Sequence, residues 1–140
     1  MNRPCLSDLN GNPNTAGAIC RGIPDVSDKS GDIATSSYDI YSDELGGASS
    51  EGGTSLSSPL MVGMWTRIQA ASGNGTGFAD PDTYRIAENA TDYADDFNDH
   101  EAGANGFYQA TPGWDYVSGW GTLVLTPVMT SLDGRTAPLH

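Results

Sequence analysis

Residues 52–59 read G-G-T-S-L-S-S-P and run straight into L-M-V-G-M-W, the most apolar stretch of the chain. No other feature limits the fold as much. Two adjacent glycines let the backbone bend sharply and let another chain come close. The hydroxyl residues and Pro59 are what a helix start uses, with Ser57 or Ser58 as the cap and Pro59 in the first turn. The helix is expected over Leu60–Ser72 and is apolar on nearly every side from Leu60 to Trp65, which predicts a buried helix. Gly73–Gly77 ends it.

A second helix is expected over Pro81–Ala90, with Tyr84, Ile86 and Ala87 facing inward. Tyr38-Asp39-Ile40-Tyr41 alternates as a half-buried strand does. Ile23–Ser27 reads as a short strand held to an edge by Pro24. Residues 1–22, 31–37 and 42–53 read as loops, and 95–122 as an ordered loop rich in Gly, Asp and aromatic residues. No internal repeat is visible.

The totals fit one domain or part of one. Apolar residues make up 37%, and the 18 glycines bring the composition into the globular range. Eighteen acidic residues face six basic ones, a net charge of −12. A surface of that sign argues against nucleic acid and anionic membrane as partners. The sequence pI near 4.1 places the loss of self-repulsion in acid. No run of 18 apolar residues exists to span a bilayer, and M-N-R-P-C-L-S lacks the apolar core of a signal peptide. Cys5 and Cys20 are a sparse even pair of the kind secreted proteins bridge. The bridge would close about 15 residues, worth roughly 3 kcal/mol by chain entropy; two free thiols are the other possibility.

A serine becomes a nucleophile when a base takes its proton and donors await the oxyanion. Ser55, on a glycine turn that opens a rigid helix, has the helix N–H groups and partial positive charge close at hand. The plain alternative is a hydroxyl-rich cap.

The same stretch resembles the serine motif of the subtilase-like peptidases, and in particular of the sedolisins, or serine-carboxyl peptidases. The resemblance continues through R-G-I-P-D-V-S at 21–27, Y-D-I-Y at 38–41 and F-A-D-P-D-T-Y at 78–84, and covers about residues 20–122. It implies that Ser55 is the nucleophile, that its backbone N–H contributes to the oxyanion hole, and that the substrate is a peptide or protein. It also implies an α/β fold, a subtilisin-like parallel sheet with flanking helices, of which residues 1–140 are the C-terminal part: a lead-in at 1–20, strands, motif and helices at 21–95, a calcium loop at 96–122 and a tail at 123–140. A location outside the cell follows, with its signal elsewhere.

Residues 97–121 resemble the calcium loop of that family. Carried over, Asp99 and Asp115 are the carboxylate ligands of one Ca²⁺, and His100, Thr111 and Gly113 give backbone carbonyls. His100 replaces a usual aliphatic residue and Thr111 a frequent glycine. Taken alone, the two aspartates could equally be a solvated acidic loop.

The base is not apparent. Sedolisins use a Glu backed by an Asp, with a further Asp at the oxyanion hole, all upstream of the serine. His100 and His140 both follow Ser55, as do Glu88 and Asp92, whose i, i+4 spacing imitates the pair. Ser30-Gly31-Asp32 imitates the oxyanion motif but follows P-D-V-S. The chain therefore reads as a peptidase fragment without its acid–base pair and inactive alone. A non-catalytic calcium-binding secreted module, a gene remnant and a subtilisin-type fragment are the other readings. Asn74-Gly75-Thr76 and Asn89-Ala90-Thr91 are glycosylation sequons, meaningful only in a eukaryotic secretory host.

Overall fold

A computed structural model describes residues 2–4, 17, 19–31, 34, 37–73 and 75–133. Strands β1 (Asn2–Pro4) and β2 (Ile19–Arg21) pair antiparallel, with Arg3 opposite Cys20. The lead-in expected as loop thus contains a short ladder. Cys5 lies outside the described residues, and its expected bridge with it; so do Asp32, Asn74 and His140.

β3 (Tyr38–Ser42) forms where the alternation predicts, with Tyr38 and Ile40 half-buried and Asp39 and Tyr41 exposed. Its partner was not foreseen. β4 (Gly47–Glu51) lies within the segment expected as loop and pairs antiparallel with β3, Tyr38 opposite Glu51. Gly46 closes the turn, its N–H donating to the Asp43 carbonyl at 3.1 Å. Small Ala and Ser side chains hid a strand that the turn and its partner impose.

Helix α1 spans Thr54–Ala71. It starts one turn earlier than the hydroxyl residues suggested: Gly53 is the cap and Pro59 falls in the second turn. The Pro lacks only its own N–H bond, and the Gly53 carbonyl accepts from Leu56 and Ser57. The helix is not buried on every side. Trp65 and Ile68 are buried, whereas Val62 is 64% exposed. The described chain covers one face and leaves the other uncovered.

Two helices stand where one was expected. α2 (Ala79–Ala87) buries Thr83, Ile86 and Ala87, while Tyr84 is half-buried. Asn89 then caps α3 (Ala90–Asp96), accepting from the Thr91 and Asp92 amides at 3.0 and 3.4 Å. Short strands β5 (Phe97–Asn98) and β6 (Thr122–Leu123) pair antiparallel. α4 (Leu125–Ser131) follows, inside the expected tail. Leu125, Val128 and Leu132 carry its i, i+3, i+7 apolar stripe.

The molecule is thus mixed helix and small sheet. All three sheets among the described residues are two-stranded and antiparallel. The core joins α1, α2 and α4 with Phe97, Trp114, Trp120 and Leu123. Ile68, Ile86, Val128 and Leu132 are fully buried, each worth about 1.5–3 kcal/mol in transfer free energy. Among the described residues no helix is long and apolar enough to cross a membrane.

The segment 23–27 is not a strand. Pro24 offers no N–H, and two backbone bonds fix the rest: Trp120 N–H to the Asp25 carbonyl at 2.9 Å and Ser27 N–H to the Gly121 carbonyl at 3.0 Å. The Trp114 indole adds a bond to the Pro24 carbonyl at 3.1 Å. Residues 114–121 are thereby seated beside the approach to α1.

Candidate functional site

The glycine pair has a specific seat. Gly53 donates its N–H to the Ser30 carbonyl at 2.9 Å and has φ 96°, in the region open chiefly to glycine. A side chain on Gly52 would collide with the Gly31 carbonyl. One position thus needs glycine for its dihedral and the other for space. Ser30 and Gly31, read as a coincidental motif, pack against the turn through their backbone.

Ser55 is the second residue of α1 and is exposed. Beside it Thr54, Ser57 and Ser58 share a cavity of about 650 Å³ with Val26, Ser27, Asp28, Met61 and Phe78. Among the described residues no base or donor bonds to the Ser55 hydroxyl. Glu88 ends α2 and Asp92 lies in α3, so their spacing does not put them on one helix.

The acidic loop is organised from its carboxylates. Asp115 is 5% exposed. Its Oδ1 accepts from the Val117 and Ser118 amides, both at 2.8 Å, and from the Ser118 hydroxyl at 3.3 Å. Its Oδ2 accepts from Thr111 N–H at 2.8 Å. Burial alone pushes this carboxyl up, but the Thr111, Ser118 and Val117 amides and the Ser118 hydroxyl together hold it below its ordinary 3.8. Asp99 Oδ2 accepts from Gly113 N–H at 2.6 Å, and Gly113 has φ 77°.

The structure pairs four of the five expected loop residues two by two, Asp99 with Gly113 and Asp115 with Thr111, through amide N–H groups and not through the carbonyls expected as ligands. The fifth, His100, is expected to give its backbone carbonyl, and its ring Nε2 separately pairs with Thr122 Oγ1 at 2.9 Å. Asp99 Oδ1 is buried and makes no hydrogen bond of good geometry, although the Tyr93 hydroxyl, which donates to the Trp120 carbonyl, lies close to Asp99; a hard cation takes up such an oxygen readily. Among the described residues no three His, Cys, Asp or Glu side chains cluster as metal ligands, so any such shell must draw on backbone oxygens.

Ser118 was missed from sequence. The signal was available: an Asp that accepts from amides two and three residues on makes a local turn of a recurrent kind. A cluster around Asp25 was missed too. Arg21 bridges Asp25 Oδ1 at 2.6 Å and Asp80 Oδ2 at 3.0 Å. Tyr84 donates to the same Asp25 oxygen. These contacts tie P-D-V-S to α2, and no local pattern announces the links to α2 because Asp25–Tyr84 and Arg21–Asp80 each lie 59 residues apart.

A serine opening a helix from a glycine-pair turn, followed by a carboxylate-organised loop, delimits a class of protein, and similarity narrows it. The chain is 41% identical over 73 residues to Sedolisin of Pseudomonas sp. (strain 101), covering 51% of this chain and 12% of that protein. It is 33% identical over 102 residues to Kumamolisin of Bacillus sp. (strain MN-32), covering 73% of this chain and 18% of that one. It is 37% identical over 75 residues to Xanthomonalisin of Xanthomonas sp. (strain T-22), covering 51% and 9%. No family model matches. The chain is related to the sedolisin family, and it matches less than a fifth of the length of each of these relatives.

Proposed function

We propose that this chain is the nucleophile- and calcium-bearing part of an acid-acting serine-carboxyl peptidase that works outside the cell on peptides or proteins. The observation that carries the reading is the Gly52–Gly53 seat, which holds Ser55 at the open end of α1. In the complete enzyme the Ser55 hydroxyl gives its proton to a Glu of the remaining domain as Oγ bonds to the scissile carbonyl carbon. The Ser55 N–H shares the oxyanion hole. The C–N bond breaks, the amine leaves with the proton, and water then hydrolyses the acyl-enzyme. A carboxylate base stays ionised in acid where histidine is protonated.

One calcium ion, held by Asp99 and Asp115 with the carbonyls of His100, Thr111 and Gly113, would offset local negative charge and stiffen the loop. The orphaned Asp99 oxygen supports this assignment. The antiparallel pairs seen here would flank a parallel sheet supplied by the rest of the domain, which would also cover the open face of α1. Without that remainder, Ser55 has no base and the isolated chain turns over no peptide.

A chimera tests the reading: this chain replacing the matching segment of the Pseudomonas sedolisin. Peptide cleavage at pH 4 that Ser55→Ala lowers by at least about 10³-fold supports it. An active chimera indifferent to Ser55→Ala overturns it.

A non-catalytic calcium-binding module is the second reading. It is favoured by the same orphaned oxygen together with a serine that lacks a base. Calcium-dependent stability in an inactive chimera would select it.

A further inference from the structure

Asp96 closes α3 and is only 1% exposed, a rare state for a carboxylate with no cation beside it. Its Oδ2 is buried without a hydrogen-bond partner. Asp92 and Asp95, on the same helix, add like charge, and the Ser131 hydroxyl of α4 is its side-chain hydrogen-bond neighbour. Together with Thr126 and Thr130, these groups line a cavity of about 360 Å³.

The elements around the joint place no salt-bridge partner on Asp96; Arg67 of α1, the helix packed against α4, is exposed. α4 carries no charged residue. β5 is Phe97 and Asn98; β6 is Thr122 and Leu123. On α2, Arg85 is committed to Asp82 at 3.2 Å and Asp80 to Arg21; Tyr84 is bound to Asp25, and Glu88 is a further acid. Tyr93 on α3 donates to the Trp120 carbonyl at 3.1 Å. Asp133 follows α4. Among the described residues no three metal-ligating side chains cluster, here or elsewhere, and Oδ2 lies below the surface. Protonation neutralises this carboxyl without any partner side chain.

We propose that Asp96 is a proton-operated latch between α3 and α4, closed while its carboxyl is neutral and loosened when it ionises. The neutral acid can donate to the Ser131 hydroxyl. The ionised acid leaves a buried charge beside the cavity, which costs far more than a buried neutral group. The loosening has a path outward: the Asp96 carbonyl accepts Val124 N–H at 2.7 Å, and Phe97, the next residue, opens β5.

The pH direction follows from burial, which pushes this carboxyl above its ordinary 3.8. Ser131 pulls it partly back, and Asp92 and Asp95 add to the rise. A carboxyl raised in the folded state contributes stability that is full below 3.8 and is lost as pH climbs through the raised value. Neither Ser55 nor any catalysis enters, so the latch stands or falls apart from the peptidase reading.

The test is thermal unfolding of the full chain between pH 3.5 and 7.5 at fixed calcium, comparing wild type with Asp96→Asn. The expected result is a wild-type midpoint that falls with rising pH and a shallower fall in the variant, the two differing in slope by at least about 3 °C over the range. Parallel curves overturn the latch. If Asp96→Asn does not fold, carbon-13 NMR titration of the wild-type Asp96 carboxyl decides. A midpoint above 3.8 supports the latch; one at or below it overturns it.

Discussion

Tyr84 donates its hydroxyl hydrogen to Asp25 Oδ1 at 2.7 Å, joining helix α2 to a segment 59 residues earlier in the chain. The same oxygen takes Arg21 at 2.6 Å. Burial, and then this bond to Asp25, push the Tyr84 hydroxyl up to about 12 from its ordinary 10.0. An acid whose pKa is raised by folding stabilises the fold below its ordinary value and ceases to do so as pH rises through the shifted one. Tyr84→Phe is therefore expected to cost about 1–2 kcal/mol near neutral pH, because the bond ends on a carboxylate that keeps its Arg. Urea unfolding reads the cost, and between pH 10 and 12 the gap between wild type and variant should narrow. A gap constant through that range would mean that Tyr84 contributes only its ring.

Two glycines, one just before α1 and one within it, should answer oppositely to alanine. Gly52→Ala drives a methyl group into the Gly31 carbonyl and is expected to cost about 1–3 kcal/mol. Gly63 lies within α1 with nothing inside 4 Å of the added carbon. There alanine should stabilise by about 0.5–1 kcal/mol, since it restricts the unfolded chain and favours helix. Equal effects in chemical denaturation would remove the close approach from the account of the turn.

Asp115 holds its loop with four donors. Asp115→Ala should cost at least about 2 kcal/mol, since several amides lose a charged acceptor in a buried place. Asp115→Asn should fall in between, as one oxygen remains. Because this carboxyl is held below 3.8, its contribution is present above 3.8 and fades as pH falls through the lowered value. Thermal midpoints at pH 6 and pH 2.5 would show the two variants approaching wild type in acid.

Removing calcium tests the other half of the loop. Chelation should lower the wild-type midpoint, and Asp99→Asn should abolish most of that response because it alters the buried, partnerless oxygen. At a calcium concentration a hundredfold above Kd the loss corresponds to about 2.7 kcal/mol. Calorimetric titration gives the stoichiometry directly; an unchanged response in Asp99→Asn would take the ion away from this loop.

Much of the fold was legible in the sequence where one short period carried the information. The alternation at 38–41 gave β3, and the apolar run from Leu60 gave α1, though not its first turn. That turn is set by Gly53 capping from the far side of a backbone contact with Ser30, which no local pattern encodes. β4 was hidden because Gly-Ala-Ser-Ser-Glu has little strand preference of its own and is held by its hairpin partner. The exposed face of α1 contradicts the expectation of burial for a physical reason: apolar composition states what a face needs, and Val62 lacks the cover here. Within the site, the structure pairs Asp99 with Gly113 and Asp115 with Thr111 through amide N–H groups, contacts that a carry-over of carbonyl ligands does not describe.

Trp120 sits between two glycines that cannot be anything else: a side chain on Gly119 would strike the Asp25 carbonyl, and one on Gly121 the Asn98 carbonyl. The tripeptide is therefore a clasp through which the segment at 24–27 and the mouth of the acidic loop grip the same few atoms of backbone. Glu101, Ala102 and Phe107 on the exposed rim can change with little consequence, but at the two glycines of this clasp the only tolerated vocabulary is the absence of a side chain. An insertion in the rim lengthens an excursion; one between Ser118 and Gly121 would slide the two halves out of step.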